Sequence, residues 1–246
     1  MYNFIYGINI GAAMKRFPPS EDQIATLENW RKRPFSAWSF HNVRELIPTS
    51  EISNNPSDTW GLGLEKKFPE MISELELTNL ATDAVVVIHK GSILFEKYLN
   101  GMAENHQHIL FSVSKSILGL LFGILEREKL TNTDSLIKKY IPEIENTAYE
   151  GATIRNCLDM EVGVHFDEDY FATSGPIIDY RYAANWNPTP KEKSHLGLRS
   201  FIKTLTKANG PHGQKFHYVS PNTDLLGWVV ERATGTKYST VLSKLL

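Results

Sequence analysis

The sequence predicts an α+β fold in which an incomplete antiparallel sheet region comes first and a mainly helical region follows. Two patterns and one compositional fact lead there. Ala84–Ile88 (AVVVI) and Ile93–Leu99 (ILFEKYL) are β-branched and aromatic runs on either side of the turn-prone His89-Lys90-Gly91-Ser92, the pattern of a hairpin. From about residue 109 the apolar positions recur at helical spacing instead. The 246 residues, 41% hydrophobic and 22% charged, suffice for a sizeable core in one or two domains. The change of period divides the chain into an irregular wrap plus hairpin over 1–108 and a helical part over 109–246.

Met1–Met14 is fairly apolar, but Lys15 and Arg16 follow the apolar part, the reverse of a secretory leader. No stretch approaches the ~18–20 apolar residues that span a bilayer, so a soluble, cytoplasmic chain is expected. Residues 15–60 scatter Pro18, Pro19, Pro34, Pro48 and Pro56 among short apolar clusters, an irregular wrap interrupted by a helix near Glu21–Arg31. After the hairpin, Ile117, Leu118, Leu120, Leu121, Ile124 and Leu125 place a mostly buried helix over Ser112–Arg127. Further helices fit Asp134–Tyr140, halted by Pro142, then Thr153–Asp159 and Leu196–Lys207. Pro221–Thr234 has Ser220 as N-cap, Pro221 at its first position and Gly235 past its end. Tyr238–Leu246 is a last amphipathic stretch. A two-stranded hairpin is not a stable sheet alone, so the β region is expected to lack partners that a longer chain would supply.

Composition excludes several classes of function. Lys+Arg at 26 against Asp+Glu at 28 gives no basic excess for nucleic acid or an anionic membrane. The one cysteine, Cys157, rules out an internal disulfide and a cysteine-based zinc cluster, and its apolar neighbours make it a core residue. His106-Gln107-His108 offers two imidazoles without a third ligand or a His-Glu-x-x-His pattern, and reads as solvated loop. Asp167-Glu168-Asp169 lacks calcium-loop spacing and reads as a polar turn. Gly61-Leu62-Gly63 lacks the rest of a dinucleotide fingerprint, and no Gly-x-Ser-x-Gly elbow occurs. Neither a metal nor an organic cofactor is expected. Oligomeric state is not legible.

The feature with chemical content is Phe111-Ser112-Val113-Ser114-Lys115-Ser116, a Ser-x-x-Lys opening an apolar helix. Residues three apart share a helix face, so the Ser112 hydroxyl and the Lys115 amine can meet. A serine is a weak nucleophile until a neighbouring base takes its proton. Lysine serves as that base only when neutral, which asks its pKa of about 10.4 to fall by roughly three units, worth about 4 kcal/mol. Burial and the positive helix N-terminus both act in that direction, and free N–H groups there suit an oxyanion. Taken alone, the pair reads equally well as a helix cap with a snorkelling lysine. A second instance, Ser135-Leu136-Ile137-Lys138, reads as a solvated helix face. Phe216-His217-Tyr218-Val219-Ser220-Pro221-Asn222 sets a tyrosine just before a capped helix, where its phenol either lies in a cleft or is buried with a bonded hydroxyl.

Four stretches together resemble a known family: Trp38–Pro48, Ile109–Gly123, Leu158–Tyr170 and Phe216–Gly235. They are similar to the β-lactamase-fold serine hydrolases that include nylon-oligomer (6-aminohexanoate-dimer) hydrolases and related carboxylesterases. The resemblance implies a β-lactamase/DD-peptidase-like fold, and a small amide or ester substrate cleaved through an acyl-enzyme on Ser112. By the same resemblance Lys115 is the general base and Tyr218 the tyrosine of a Tyr-x-Asn or Tyr-x-Ser motif. Ser220 falls at that motif's third position, where class C β-lactamases have asparagine, and by the resemblance it is expected to bind substrate. Tyr170 matches a substrate-side tyrosine on a mobile loop, and Trp186 a residue lining the same cleft. Family members continue into strands bearing a third motif that supplies a second oxyanion N–H, and nothing after Tyr218 provides it. The resemblance therefore implies a chain truncated at its C-terminus with impaired activity, since losing one such donor costs about 10²–10³ in rate. The alternative is a non-catalytic binding or regulatory relative of the same fold.

Overall fold

The computed structural model describes residues 24–55, 57, 59, 61–65 and 73–245. The Met1–Met14 segment and the first residues of the helix expected near Glu21–Arg31 lie outside that range. From Ile24 on, that expected helix is instead a run of turns. Asn29 accounts for the difference: its Oδ1 accepts from the Thr26 N–H at 2.7 Å and its Nδ2 donates to the Ile24 carbonyl at 3.0 Å. Such local side-chain bonds compete with a helical ladder.

Two compact units divide the chain, one made of Asn55–Ile109 with the chain up to Thr49, the other of Ser50–Asn54 with the chain from Leu110 on. The first unit holds α1 (Ser36–Ser39), β1 (Gly63–Leu64), α2 (Glu74–Asn79), β2 (Ala84–His89) and β3 (Ser92–Tyr98). The β2–β3 hairpin forms where the sequence places it, from Ala84 opposite Tyr98 to His89 opposite Ser92. Lys90 (φ 49°) and Gly91 (φ 78°) are both left-handed, the turn geometry that matches the twist of paired strands. β1 adds to β3 in parallel, so the sheet is mixed, in the order β1-β3-β2. Two residues are too few to show a strand pattern in sequence. A capping box starts α2: the Glu76 N–H donates to Ser73 Oγ and the Ser73 N–H to Glu76 Oε2.

The second unit contains α3 (Val113–Arg127), α4 (Ile154–Leu158), α5 (Pro176–Ala183), α6 (Gly197–Ile202), α7 (Ser220–Thr234) and α8 (Tyr238–Leu245). α3 buries Leu118, Leu121, Phe122 and Leu125, whereas Val113, Ile117 and Leu120 remain exposed. The apolar run is thus buried along one face only. Asp134–Tyr140 shrinks to a single 3-10 turn at Ile137–Lys139, because Leu136 is extended and pairs with Thr153. That pairing also dismantles the second Ser-x-x-Lys, whose Lys138 Nζ bonds Glu145 at 2.7 Å and Glu150 at 3.3 Å. The helix expected over Leu196–Lys207 ends at Ile202, and the Leu205 carbonyl beyond it accepts from the Ala148 N–H at 2.7 Å. α7 ends as expected at a left-handed Gly235 (φ 64°). Its N-cap is Val219, and no side chain caps it. The core joins the buried face of α3 to Leu225, Leu226, Val229 and Val230 of α7 and to Phe201 and Ile202 of α6. Cys157 is fully buried within it, as expected. Among the described residues no helix is long and apolar enough to cross a membrane.

Two features of this unit govern what lies near α3. The strip from Met160 to His165 zips to the strip from Lys207 to His217. The Met160 carbonyl accepts from the His217 N–H at 2.7 Å, the Gly163 carbonyl from the Asn209 N–H at 2.7 Å, and the Lys207 carbonyl from the His165 N–H at 2.8 Å. Gly163 permits the approach, since a Cβ there would stand 1.9 Å from the Gly210 carbonyl oxygen. The second feature is a polar seam under the first turns of α7. Tyr149 Oη donates to Asn222 Oδ1 at 3.0 Å and Tyr180 Oη to Asp224 Oδ2 at 2.8 Å. Burial pushes the Asp224 carboxyl up to about 6, against the pull of the Tyr180 hydrogen bond and the Lys115 charge.

These features set two expectations for stability. Gly163→Ala forces backbone apart and should lower the urea midpoint by the equivalent of at least about 2 kcal/mol, whereas Gly227→Ala, in an open helical position of α7, should raise it by up to about 1 kcal/mol. Asp224 binds its proton more tightly folded than unfolded, so its contribution favours the fold at low pH and is lost as pH rises from about 4 through about 6. Some exposure of the residue makes roughly 3 kcal/mol an upper bound on that cost at neutral pH. Asp224→Asn should therefore gain stability relative to the parent at pH 8 more than at pH 4.5; a difference independent of pH would contradict this placement of the carboxyl.

Candidate active site

Ser112 stands immediately ahead of α3 in helical conformation (φ −71°, ψ −9°), and its side chain makes no capping hydrogen bond. The hydroxyl points instead to two partners. Lys115 Nζ, one turn along α3, donates to Ser112 Oγ at 3.1 Å, and Tyr218 Oη lies 2.6 Å from the same oxygen. The lysine also sits over the Tyr218 ring, with Nζ 5.2 Å from its centroid. Serine, lysine and phenol thus form one contiguous group, and the cap reading of the Ser-x-x-Lys falls away. Ser112 is exposed, while Lys115 and Tyr218 are half-buried. An exposed hydroxyl touching an amine and a phenol can pass its proton in either direction.

The residue before Ser112 is strained. Phe111 adopts φ 44°, a left-handed conformation that a bulky side chain rarely takes. Its ring packs edge-on against Trp186 at 5.8 Å between centroids, and the Trp186 backbone N–H donates to the Arg181 carbonyl at 2.8 Å. Trp186 is therefore placed against the chain leading into the serine.

Tyr170 and Ser220 come together on a residue that the sequence reading assigned to a polar turn. Glu168 Oε1 accepts from Tyr170 Oη at 2.8 Å and from Ser220 Oγ at 2.7 Å, and its Oε2 accepts from the Ser220 N–H at 2.6 Å. Ser220 is buried, with its hydroxyl and its N–H both directed to that carboxylate. Ser220 is thus held to Glu168 two residues after Tyr218. Tyr170 remains largely exposed. Partial desolvation, the hydrogen bond to Glu168 and the Glu168 charge, with the nearby Tyr218, hold its pKa well above the ordinary value for tyrosine. The loop beneath it is anchored by Arg181, a buried cation of α5 that donates to the carbonyls of Tyr170 at 2.9 Å and of Asp169 and Ala172 at 3.4 Å. Tyr180, from the same helix, reaches Asp224 next to this network.

Glu168, Arg181 and Asp224 carried no signal in sequence. Three consecutive acidic residues, 167–169, do not reveal which one turns inward, and no periodicity marks Arg181 as buried. The geometry brings a hydroxyl, an amine and a phenol into contact, with a carboxylate bonding both Tyr170 and Ser220 beside them.

Known proteins resemble the chain in sequence and in fold. The family model described as Beta-lactamase matches residues 73–246. A 6-aminohexanoate-dimer hydrolase of Paenarthrobacter ureafaciens is 32% identical over 237 residues, which are 94% of this chain and 59% of that protein. The solved structure of a Bacillus anthracis protein, provisionally assigned as a 6-aminohexanoate-dimer hydrolase, superposes with a TM-score of 0.76 at 25% identity, covering 90% of this chain and 60% of that one. A Bacteroides dorei protein provisionally assigned as a β-lactamase shares the fold at a TM-score of 0.51 and 20% identity, over 66% of this chain and 44% of that one. The chain spans about three-fifths of the length of the hydrolases it matches. Its α+β architecture, its Ser-x-x-Lys at the head of an apolar helix and a match over residues 73–246 place the chain in the Beta-lactamase family.

Proposed function

We propose that this chain carries the acyl-transfer centre of a serine hydrolase that cleaves an amide or ester bond. The observation that carries the reading is Ser112 Oγ held at once by Lys115 Nζ at 3.1 Å and Tyr218 Oη at 2.6 Å. In this reading Ser112 Oγ attacks the substrate carbonyl carbon and its proton passes to Lys115 Nζ. The carbonyl oxygen becomes an oxyanion at the N-terminus of α3, with the Ser112 N–H as one donor. Tyr218 Oη, in contact with the serine, relays a proton to the departing amine or alcohol, and the carbon–heteroatom bond breaks to leave an acyl-enzyme. Water then adds to the acyl carbon, the same pair takes its proton, and the carboxylic acid leaves as Ser112 recovers its hydrogen.

Tyr170 and Trp186 are proposed to flank the substrate, the first by its exposed phenol and the second through its packing on Phe111. Ser220 and Glu168 act by position, fixing Tyr218 and Tyr170 relative to each other. The names of the relatives favour a linear amide as substrate, with esters following from the same chemistry.

A fluorophosphonate probe should label the chain covalently at Ser112, and Ser112→Ala should abolish the label; labelling unchanged by that substitution rejects the assignment. Lys115→Met should slow acylation by about 10²–10⁴, the usual worth of a positioned base. Tyr218→Phe should slow turnover of an amide with a poor leaving group by a similar factor, and of an activated aryl ester much less, because only the former needs its leaving group protonated.

A further inference from the structure

His41, Asp83 and His108 of the first unit take no part in this chemistry, yet their ligand atoms all lie within 4.8 Å of one another. His41 follows α1, Asp83 directly precedes β2, and His108 comes from the loop after β3. Asp83 Oδ2 is 2.9 Å from His108 Nε2 and 3.7 Å from His41 Nε2.

Hydrogen bonding assigns the protons. His108 Nδ1 lies 2.8 Å from the Ile109 carbonyl, which can only accept, so the proton of a neutral ring is on Nδ1. Its Nε2 then presents a lone pair to a carboxylate oxygen 2.9 Å away, a contact that is attractive only with a cation between the two. A proton on Nε2 would serve that pair but leaves the third member stranded. The His41 side chain is only 8% exposed, and among the described residues its Nε2 has no hydrogen-bond partner.

We infer that His41 Nε2, His108 Nε2 and Asp83 Oδ2 form a binding site for a divalent cation of the Zn²⁺ type, with a fourth position open. Two imidazoles and one carboxylate are ligands of zinc chemistry, and around a tetrahedral ion with bonds of about 2.05 Å such atoms stand roughly 3.3 Å apart. The separations of 2.9 and 3.7 Å bracket that value. The outer contacts are also those that metal ligands carry: His108 gives its other N–H to a backbone carbonyl, and the remaining Asp83 oxygen accepts from Asn100 Nδ2 at 2.9 Å. Of the pair in His106-Gln107-His108, His106 is exposed, as a solvated loop predicts, and His108 alone turns inward. The ion would staple three segments of the first unit and stabilise it by mass action.

The test uses the whole chain, stripped with chelator and titrated with Zn²⁺ alone. One equivalent should bind, survive gel filtration and raise the Tm with concentration. His41→Gln, Asp83→Asn and His108→Gln, each checked for folding by circular dichroism, should weaken binding by more than the roughly 10–100-fold that loss of an outer contact costs. His106→Gln should bind as the parent does. X-ray absorption of the Zn²⁺-loaded parent, which needs no variant to fold, should show a first shell with two imidazoles at about 2.0 Å. No saturable binding, undiminished binding by Asp83→Asn, or a shell without imidazole would overturn the inference.

Discussion

Tyr218 reaches Ser112 only because the backbone just ahead of it is pinned. His217 donates to the Met160 carbonyl, and the strip behind it pairs with Glu161–His165 so closely that Gly163 has no room for a side chain. On the other side, Ser220 is gripped twice by Glu168. The phenol therefore comes from a segment clamped at the residue before it and two residues after it. A hydrogen bond of 2.6 Å between side chains 106 residues apart rests on those clamps rather than on the pair itself.

The same clamps explain how polar groups are tolerated so near a core. Glu168 accepts three hydrogen bonds, Arg181 spreads its charge over three carbonyls, and Asp224 and Asn222 each accept from a tyrosine. A buried polar atom left unpaired costs on the order of 1–3 kcal/mol, so each of these pairings helps hold the geometry in place. Strain appears where it is affordable: Phe111 takes its left-handed conformation against Trp186, one residue before the serine. Residues held in such conformations cluster where a neighbouring group must be presented at a fixed angle.

The first unit shows what the same rule looks like when a pairing is missing. Its hairpin, its capping box and the Asn29 turns satisfy their own backbone groups locally. His41 stands apart from that economy, a buried nitrogen facing a carboxylate that another imidazole already faces.

Local signals were enough for the hairpin and for α3 and α7 with its Gly235 end, because each depends on residues a few positions apart and on backbone preferences that travel with the residue type; they left the Ser112/Lys115 pair open between a helix cap and a side-chain contact, which the structure decides. The Phe216–Asn222 stretch pointed to Tyr218 through its likeness to a family, not through any periodicity. Folding in three dimensions decided the rest. Asp134–Tyr140 lost its helix to a pairing with Thr153, Ser220 gave its hydroxyl to Glu168, and His108 found His41 and Asp83 across the first unit. Those outcomes turn on which distant acceptor competes for a given donor, and a one-dimensional pattern does not contain the distances on which that competition is settled.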